Sequence, residues 1–453
     1  MTDVRNLAIR GVREIIDEDG YSQLVVSRLI SDHPELSEQD RKLLTRLVYE
    51  TVLHGFSIDR IISSYTDLPL KKMKPEIRNA LRIGICQLAY LQGIRSYAAV
   101  SSTVEAVKKT RARSLAGFVN GVLRHIERDL EKKFLVPDST VELPRWLMEK
   151  LEASCPKGKA EELAGIFSLP KPVCIRMDAS EEQKKEILES LKNQIGLKQG
   201  RLVPDAWYVS SGAELLQHPA FARGLLSIQD ESSMAAAEAL VEGLRRHLPA
   251  DPADRPVRIL DMCAAPGGKS TYMALRGPER LGRDVQLISR DIHPSRVGLM
   301  ENYVRRLGIT NMTCEAKDAL AADPEDAAAY EGILLDAPCS GIGIVRSKPD
   351  ILLKRTPEEI SELTDIQQRM LDNAASMLKA GGVLVYSTCT LLKEENEGQI
   401  LAFLQRHPEF EEQNLQQYFP EDAGSFNRHL TLWPEENGHD GFFIALLTKK
   451  KQD

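Results

Sequence analysis

The sequence has no apolar run approaching the roughly 18–20 residues of a membrane span. Its first residues, Met1-Thr2-Asp3-Val4-Arg5-Asn6, lack the basic-then-apolar layout of a secretory signal. The chain is therefore expected in the cytoplasm, with no membrane partner. Cysteine is sparse, seven in 453 residues, and no two form a C-x-x-C pair. That odd count and spacing exclude a disulfide framework and zinc-ligand spacing, so no metal is expected. No internal repeat or low-complexity tract is visible. Two nucleotide signatures are missing as well, the three-glycine G-x-G-x-x-G and the P-loop G-x-x-x-x-G-K, and with them the case for a hydride-transfer enzyme or an NTPase.

What is present is enough chain for about three domains, with 42% hydrophobic residues to build their cores. The net charge of -7 is unevenly placed. Residues 71–135 carry 14 Lys/Arg against 5 Asp/Glu, a net of +9, whereas residues 1–70 carry 8 against 12. Such a basic stretch is either a phosphate-contacting surface or a set of solvated helix faces.

Up to about residue 135 apolar residues recur at helical spacing, as in Ile9, Val12, Ile15, Ile16 and Leu43, Leu44, Leu47, Val48, which predicts a small all-α domain. Proline-containing breaks at Val136-Pro137-Asp138, Leu143-Pro144-Arg145 and Leu169-Pro170-Lys171-Pro172 then read as linkers. Residues 136–226 are expected to hold these linkers and a small α+β unit, with strands at 173–177 and 207–209 flanking a helix at 181–194. From residue 227 to 453, strands alternate with helices as in βαβ units, predicting a doubly wound, Rossmann-like sheet. Strands are expected at 257–262, 285–290, 312–316, 332–335, 383–387 and 442–447, and helices at 269–275, 295–307, 357–378 and 393–406. Thr356 as N-cap, Pro357 at the first position and Glu359 at the third give the helix from 357 a strong start.

Two of these strands end in cysteine, at Asp336-Ala337-Pro338-Cys339 and at Ser387-Thr388-Cys389. In a doubly wound sheet ligands bind beyond the carboxyl ends of the strands, so two thiols there can face one substrate. With a carboxylate three residues before the first, they point to covalent chemistry on an electrophilic carbon. The first strand runs into Cys263-Ala264-Ala265-Pro266-Gly267-Gly268-Lys269, where paired glycines let backbone approach a ligand at a positively polarised helix start. Asp291 closes the second strand about 20 residues further on, the place of a ribose-binding carboxylate. Asp318 follows the third strand and Asp336 the fourth. Singly each is a turn or cap residue; together they imply a nucleoside ligand.

The runs L-D-M-C-A-A-P-G-G-K-S-T (260–271), R-D-I-H-P-S-R (290–296), D-A-P-C-S-G-I-G (336–343), K-A-G-G-V-L-V-Y-S-T-C-T (379–390) and D-G-F-F-I-A (440–445) resemble, in order, the S-adenosylmethionine-dependent RNA cytosine-C5 methyltransferases. The N-terminal part, notably F-V-N-G-V-L-R (118–124), is similar to the antitermination factor NusB. This pairing resembles the bacterial enzymes that modify 16S ribosomal RNA. The resemblance implies a NusB-like all-α RNA-binding domain over 1–135 and a class I methyltransferase domain over 227–453. It implies S-adenosyl-L-methionine as cofactor, with Cys263 to Lys269 around the methionine moiety, Asp291 on the ribose, Asp318 near the adenine and Asp336 near the methyl donor. Arg296 joins the cofactor set through its motif. Cys389 corresponds to the nucleophile and Cys339 to the cysteine that aids product release. Ser270, where threonine is common, and Arg290, on a strand that usually ends apolar, are departures. Arg346-Ser347-Lys348-Pro349-Asp350 matches the family's basic, proline-containing segment loosely.

These residue types suit the chemistry. Carbon 5 of cytosine is a poor nucleophile until a thiolate adds to C6, and a soft, easily expelled sulfur favours cysteine over serine. Asp336 at the base edge stabilises charge developing at N3, and the target base must be unstacked to admit the thiol. Lys108, Lys109, Arg111, Arg113, Arg124 and Arg346 are the candidates for RNA contacts. The resemblance makes cytosine 967 of 16S rRNA the expected target and a monomer the expected state. Competing readings are a transfer-RNA methyltransferase, a DNA methyltransferase with Cys339 as nucleophile, and a non-enzymatic NusB-like RNA-binding protein.

Overall fold

The computed structural model describes residues 3–195, 197–209, 213–248, 255–321, 323–436 and 438–451. The chain divides into two compact units, Met1–Pro170 with Val345–Arg355, and Lys171–Ile344 with Thr356–Asp453.

The first unit is helical. Helices Val4–Asp17, Ser22–Ser31, Glu38–Leu53, Gly55–Tyr65, Pro75–Ala89, Ser96–Lys108 and Ala116–Glu131 surround a core that includes Val12, Ile15, Leu44, Leu47, Val48, Ile58, Leu81 and Leu123. Caps fix their starts: Asp3 accepts from the Arg5 amide and Ser37 from the Asp40 amide. At Gly84 a Cβ would lie 2.6 Å from Leu123 Cδ1, so glycine is what lets the helices Pro75–Ala89 and Ala116–Glu131 pack this closely. Arg82 crosses the interior with both arms on Asp59, at 2.7 Å each, and its Nη1 on Asn79 at 2.8 Å.

The unit extends beyond residue 135. Residues 136–170, expected as linker, form helices Arg145–Ser154 and Lys159–Phe167, whose Leu147, Leu151, Leu163 and Phe167 are buried. The prolines there act as turn and cap residues: Pro144 is the N-cap of the first helix. Glu142 ties the stretch down, accepting from Ser57 Oγ at 2.9 Å and pairing with Arg60 at 3.0 Å. The segment Val345–Arg355 belongs to this unit too. Asp350 accepts the Ser22 amide at 3.3 Å, and Lys354 Nζ donates to the carbonyls of Asp19 and Gly20 at 2.8 Å each, above the Tyr21 ring.

The second unit holds two sheets. Strands β1 (Val173–Met177), β2 (Leu197–Gln199), β3 (Ala206–Val209) and β4 (Leu226–Ile228) form an antiparallel sheet ordered β2-β3-β1-β4. Helix Glu181–Ile195 buries Ile187 and Leu191 with Ile175, Met177 and Val209. This small sheet is separate from the larger one but packs with it, because Cys174 and Tyr208 share the larger sheet's core, so residues 171–226 belong to the same unit as the larger sheet.

The larger sheet contains β5 (Val257–Asp261), β6 (Val285–Asp291), β7 (Met312–Ala316), β8 (Tyr330–Asp336), β9 (Leu378–Thr388), β10 (Phe410–Gln413), β11 (Ser425–Asn427), β12 (His429–Leu432) and β13 (Phe442–Lys449). Its order is β11-β12-β13-β9-β8-β5-β6-β7, with β10 also on β13. The pairs from β7 through β9 are parallel, and those involving β13 are antiparallel. Both faces are covered, so residues alternate between two cores. Ile259, Leu334, Val385 and Ile444 face helices Glu231–His247 and Gly268–Leu281, while Leu260, Leu335, Tyr386 and Phe443 lie on the side of Pro357–Met377 and Glu397–Arg406. The order reverses between β5 and β8, the switch point beyond which ligands bind in such sheets.

Several elements differ from expectation: helix Glu231–His247 is not among those expected, and the helix expected at 269–275 runs from Gly268 to Leu281. β9 begins at Leu378 rather than 383, because helix Pro357–Met377 passes directly into it and Gly381, at φ +77°, makes the bend. The helix expected at 393–406 is a 3-10 turn, Lys393–Glu395, followed by Glu397–Arg406. Asn396 interrupts it because its side chain is bonded to Thr388 Oγ1 at 2.5 Å and to the Thr390 carbonyl at 3.1 Å. Thr356 and Glu359 form the expected capping box.

Candidate active site at the strand ends

The loop after β5 is held by its own backbone. The Ala264 amide donates to the Arg290 carbonyl and the Gly267 amide to the Ala264 carbonyl, both at 2.7 Å. Gly267 takes φ +104°, a left-handed conformation glycine adopts without strain, and the helix starts at Gly268. From below, the fully buried Arg176 donates to the Gly268 carbonyl at 2.8 Å, to Gln229 at 2.6 Å and, through its other arms, to Asp178.

Asp261 closes β5 beneath this loop with no exposure at all. One oxygen accepts from Ser270 Oγ at 2.6 Å; the other, Oδ1, is buried without a partner. Burial, reinforced by the Asp336 carboxylate, pushes Asp261 up to about 7. Cys263 and Ala265 lie in the loop above, and burial also raises the Cys263 thiol. Asp291, at the end of β6, accepts the His293 amide at 3.0 Å and pairs with Arg296 at 3.0 Å; Arg296 also donates to the Ala265 carbonyl at 2.9 Å. Asp318 turns inward on its own loop, accepting the Leu320 amide at 2.9 Å. Arg290, the departure from pattern, is structural: it is bonded to Glu315, Asp326 and Tyr330.

At the next two strands the register sets Asp336 opposite Ser387. Ser387 Oγ donates to Asp336 Oδ1 at 2.8 Å, and Lys269 Nζ donates to Oδ2 at 2.7 Å. Lys269 also lies over the Phe442 ring, 5.1 Å from its centroid. Burial alone would lower the Lys269 ammonium, but Asp336 and the neighbouring Asp261 and Cys389 outweigh it and hold it above its ordinary value. Lys269 therefore serves the strand-end cluster as well as the loop that carries it.

The two thiols meet. Cys339 Sγ and Cys389 Sγ are 3.4 Å apart. The bond to Cys389, then burial, raise the Cys339 thiol. Of three residues around them, Gln367 and Glu395 lie outside the quoted motif runs, and Ser387 lies inside the run 379–390 without an assigned role. Ser387 looks like a strand residue, Gln367 like a polar interruption in an apolar helix face, and Glu395 like a helix-start carboxylate. Only the zero exposure of Gln367 and Glu395 distinguishes them from surface positions.

The RNA candidates lie on the helical unit. Lys108, Lys109 and Arg124 are exposed but engaged, with Glu105, Asp3 and Glu127 respectively. Arg111 and Arg113 are exposed and pair with no described residue. Arg346 is half-buried in the segment Val345–Arg355. No helix among the described residues is long and apolar enough to cross a membrane.

Comparison with known proteins follows these two units. Residues 249–448 match the family described as 16S rRNA methyltransferase RsmB/F, and residues 2–128 match the NusB family. The probable ribosomal RNA small subunit methyltransferase B of Bacillus subtilis (strain 168) is 35% identical, covering 99% of both chains. Ribosomal RNA small subunit methyltransferase B of Klebsiella pneumoniae (strain 342) is 30% identical, again over 99% of both. The crystal structure of PH0851 shares the fold, with a TM-score of 0.78 at 24% identity over 99% of each chain.

Proposed function

The chain belongs to the RsmB/F family of 16S rRNA methyltransferases, and from that premise we propose that it methylates carbon 5 of one cytosine, position 967 in the usual numbering, through a covalent cysteine adduct. The observation that carries this reading is the thiol pair, 3.4 Å apart at adjoining strand ends and beside the Lys269–Asp336 pair.

S-adenosyl-L-methionine, when bound, supplies the electrophilic methyl group. The residues present suit it. The orphaned Asp261 Oδ1 is a buried acceptor under a loop whose Gly267 leaves the backbone bare, a fit for a ligand that brings an ammonium group and ribose hydroxyls. The loop 263–269 and Asp291 with Arg296 would hold it, with Asp318 beyond.

Cys389 adds to C6 of the cytosine, forming the S–C6 bond and shifting the C5–C6 electron pair towards C5, which then takes the methyl group. The Lys269 cation, held on Asp336 beside the thiol pair, favours negative charge on Cys389 as its sulfur adds. Asp336 takes the Cys389 thiol proton as the sulfur adds and passes it to N3, neutralising the charge that collects there, with Lys269 supplying positive charge behind it; N3 gives the proton back on release. A base then removes H5, its electron pair restores the C5–C6 double bond, and the C6–S bond breaks. The departing thiolate is received by the Cys339 S–H, which is where that residue aids release. The helical unit, with Arg111 and Arg113 exposed, positions RNA through its phosphates.

The test uses a 16S rRNA transcript and tritiated-methyl S-adenosylmethionine with wild type, Cys339→Ala and Cys389→Ala, scoring methyl transfer and denaturation-resistant protein–RNA adduct. Cys389→Ala should lose both, and Cys339→Ala should accumulate adduct. Adduct formation by Cys389→Ala would overturn the assignment of nucleophile, and labelling of transfer RNA alone would overturn the substrate.

A further inference from the structure

Cys389 and Cys339 are supported differently. Cys389 directly follows β9, which is paired on both sides: Thr388 lies opposite Phe443 of β13, and Ser387 opposite Asp336 of β8. Cys339 sits in a loop whose flanking backbone is gripped by side chains from elsewhere. Gln367 Nε2 donates to the Pro338 carbonyl at 2.9 Å, and the Ser340 amide donates to Glu395 Oε1 at 2.8 Å. The same Gln367 donates to Glu395 Oε1 at 3.1 Å, so one pair of side chains clamps both neighbours of Cys339.

The clamp reaches the second cysteine. Ser340 Oγ donates to Glu395 Oε2 at 2.5 Å and lies 2.7 Å from Thr390 Oγ1. The Thr390 hydroxyl bonds the Glu395 carboxylate as well, so the residues that follow both cysteines meet on one side chain. Ser340, Gln367, Thr390 and Glu395 all have zero exposure. Burial raises the Glu395 carboxyl, partly offset by these donors, and no Lys or Arg among the described residues pairs with it. A buried carboxylate held by neutral donors alone is costly to keep, and an apolar residue would fill the space more cheaply. Its retention makes sense where geometry has to be fixed.

Resting on the two-cysteine reading above, we propose that Glu395 is a positioning residue that locks the Cys339 loop to the Cys389 strand end and so sets the rate at which the RNA adduct is resolved. Cys389 keeps its β-ladder when Glu395 is lost, whereas Cys339 loses the anchor on Ser340. Adduct formation is then spared and release is slowed. A displacement of ~1 Å of a reacting group costs on the order of 100-fold, and a drop in kcat of about 10- to 100-fold is expected.

The experiment compares wild type, Glu395→Ala, Glu395→Gln, Ser340→Ala and Cys389→Ala with a 16S rRNA transcript and tritiated-methyl S-adenosylmethionine. Turnover, first-turnover methyl transfer, steady-state adduct and thermal midpoint are measured. Glu395→Ala should transfer methyl in the first turnover and then accumulate adduct. Glu395→Gln, which keeps an oxygen for the Ser340 amide, should recover most of the turnover, and Ser340→Ala should fall between. If Glu395→Ala does not fold, the other two variants decide the question by the same adduct-to-product ratio. An unchanged ratio in folded variants, with activity falling only in step with thermal stability, overturns the proposal. Adduct formation by Cys389→Ala would instead overturn the two-cysteine reading, which separates the two failures.

Discussion

Replacing Asp336 by Asn tests the electrostatic centre of the site. The hydrogen bonds survive the change, since Asn can turn its oxygen to Lys269 and its NH2 to Ser387 Oγ; the charge does not. Lys269 and Asp336 side chains are 13% and 26% exposed, with the nitrogen 2.7 Å from the oxygen. At an effective dielectric constant near 20, charges ~3 Å apart interact by ~5 kcal/mol, and discounting for solvent and the retained hydrogen bond leaves a loss of ~2–4 kcal/mol. The pH dependence gives the sign. In the wild type Asp336 holds Lys269 above the ordinary lysine value of 10.5, so this stabilisation is complete below that value and is lost as pH rises through the folded value. In the variant burial dominates and takes Lys269 below 10.5, so the unfolded state binds more protons and stability rises with pH in that window. The stability gap between the proteins should therefore narrow as pH is raised from about 8 to about 11. Denaturant unfolding across that range measures it. Single-turnover methylation should fall by about 100-fold or more, because on the proposed mechanism an amide cannot relay a proton to N3. A constant gap, or a methylation rate within threefold of wild type, would refute the reasoning.

Asp261, pushed up to about 7 by burial, should make cofactor affinity pH-dependent. Calorimetric titration with S-adenosylmethionine should show affinity falling as pH drops below about 7, by up to about tenfold per unit, and Asp261→Asn should abolish the dependence. Gly343→Ala would place a Cβ against the Gly441 carbonyl and 2.9 Å from the Cys389 carbonyl oxygen, where Gly343 now bonds both partners. It should cost about 1–3 kcal/mol by thermal unfolding and reduce turnover more than cofactor binding. Arg111→Ala with Arg113→Ala should weaken RNA binding and flatten the salt dependence of affinity by about one unit of slope per lost phosphate contact, leaving cofactor affinity unchanged.

Much of the fold is legible because the information is local. Alternating strands and helices from residue 257 onward, the capping box at Thr356 and the glycine loop at 267–268 are each written within a few residues. The pairings that matter chemically are not. Ser387 meets Asp336 through the register of β8 on β9, and Glu395 meets Ser340 across 55 positions of sequence. Lys393-Glu394-Glu395 has the composition of a helix start, and only the bonds of Asn396 to Thr388 and Thr390 break it. Proline signals misled in the other direction at 136–170, where Pro144 caps a helix instead of marking a linker. The basic stretch was half legible: charge counts located it, but Lys108 and Arg124 are engaged by acidic neighbours within it, and Lys109 by Asp3 from outside it.

The segment Val345–Arg355 carries the RNA candidate Arg346 and is tied to the helical unit by its other residues: Lys354 is used on the Asp19 and Gly20 carbonyls, Asp350 on the Ser22 amide and Leu353 against Gly55. The position of its two ends gives it further weight. It leaves the catalytic unit at Ile344, whose amide bonds the Gly341 carbonyl just past Cys339, and returns at Thr356, the cap of the helix that carries Gln367 to the Pro338 carbonyl. Both attachments therefore fall on elements that hold the Cys339 loop, while Cys389 depends on the β-ladder of β8, β9 and β13. A displacement of either end of this segment would therefore reach Cys339 before Cys389.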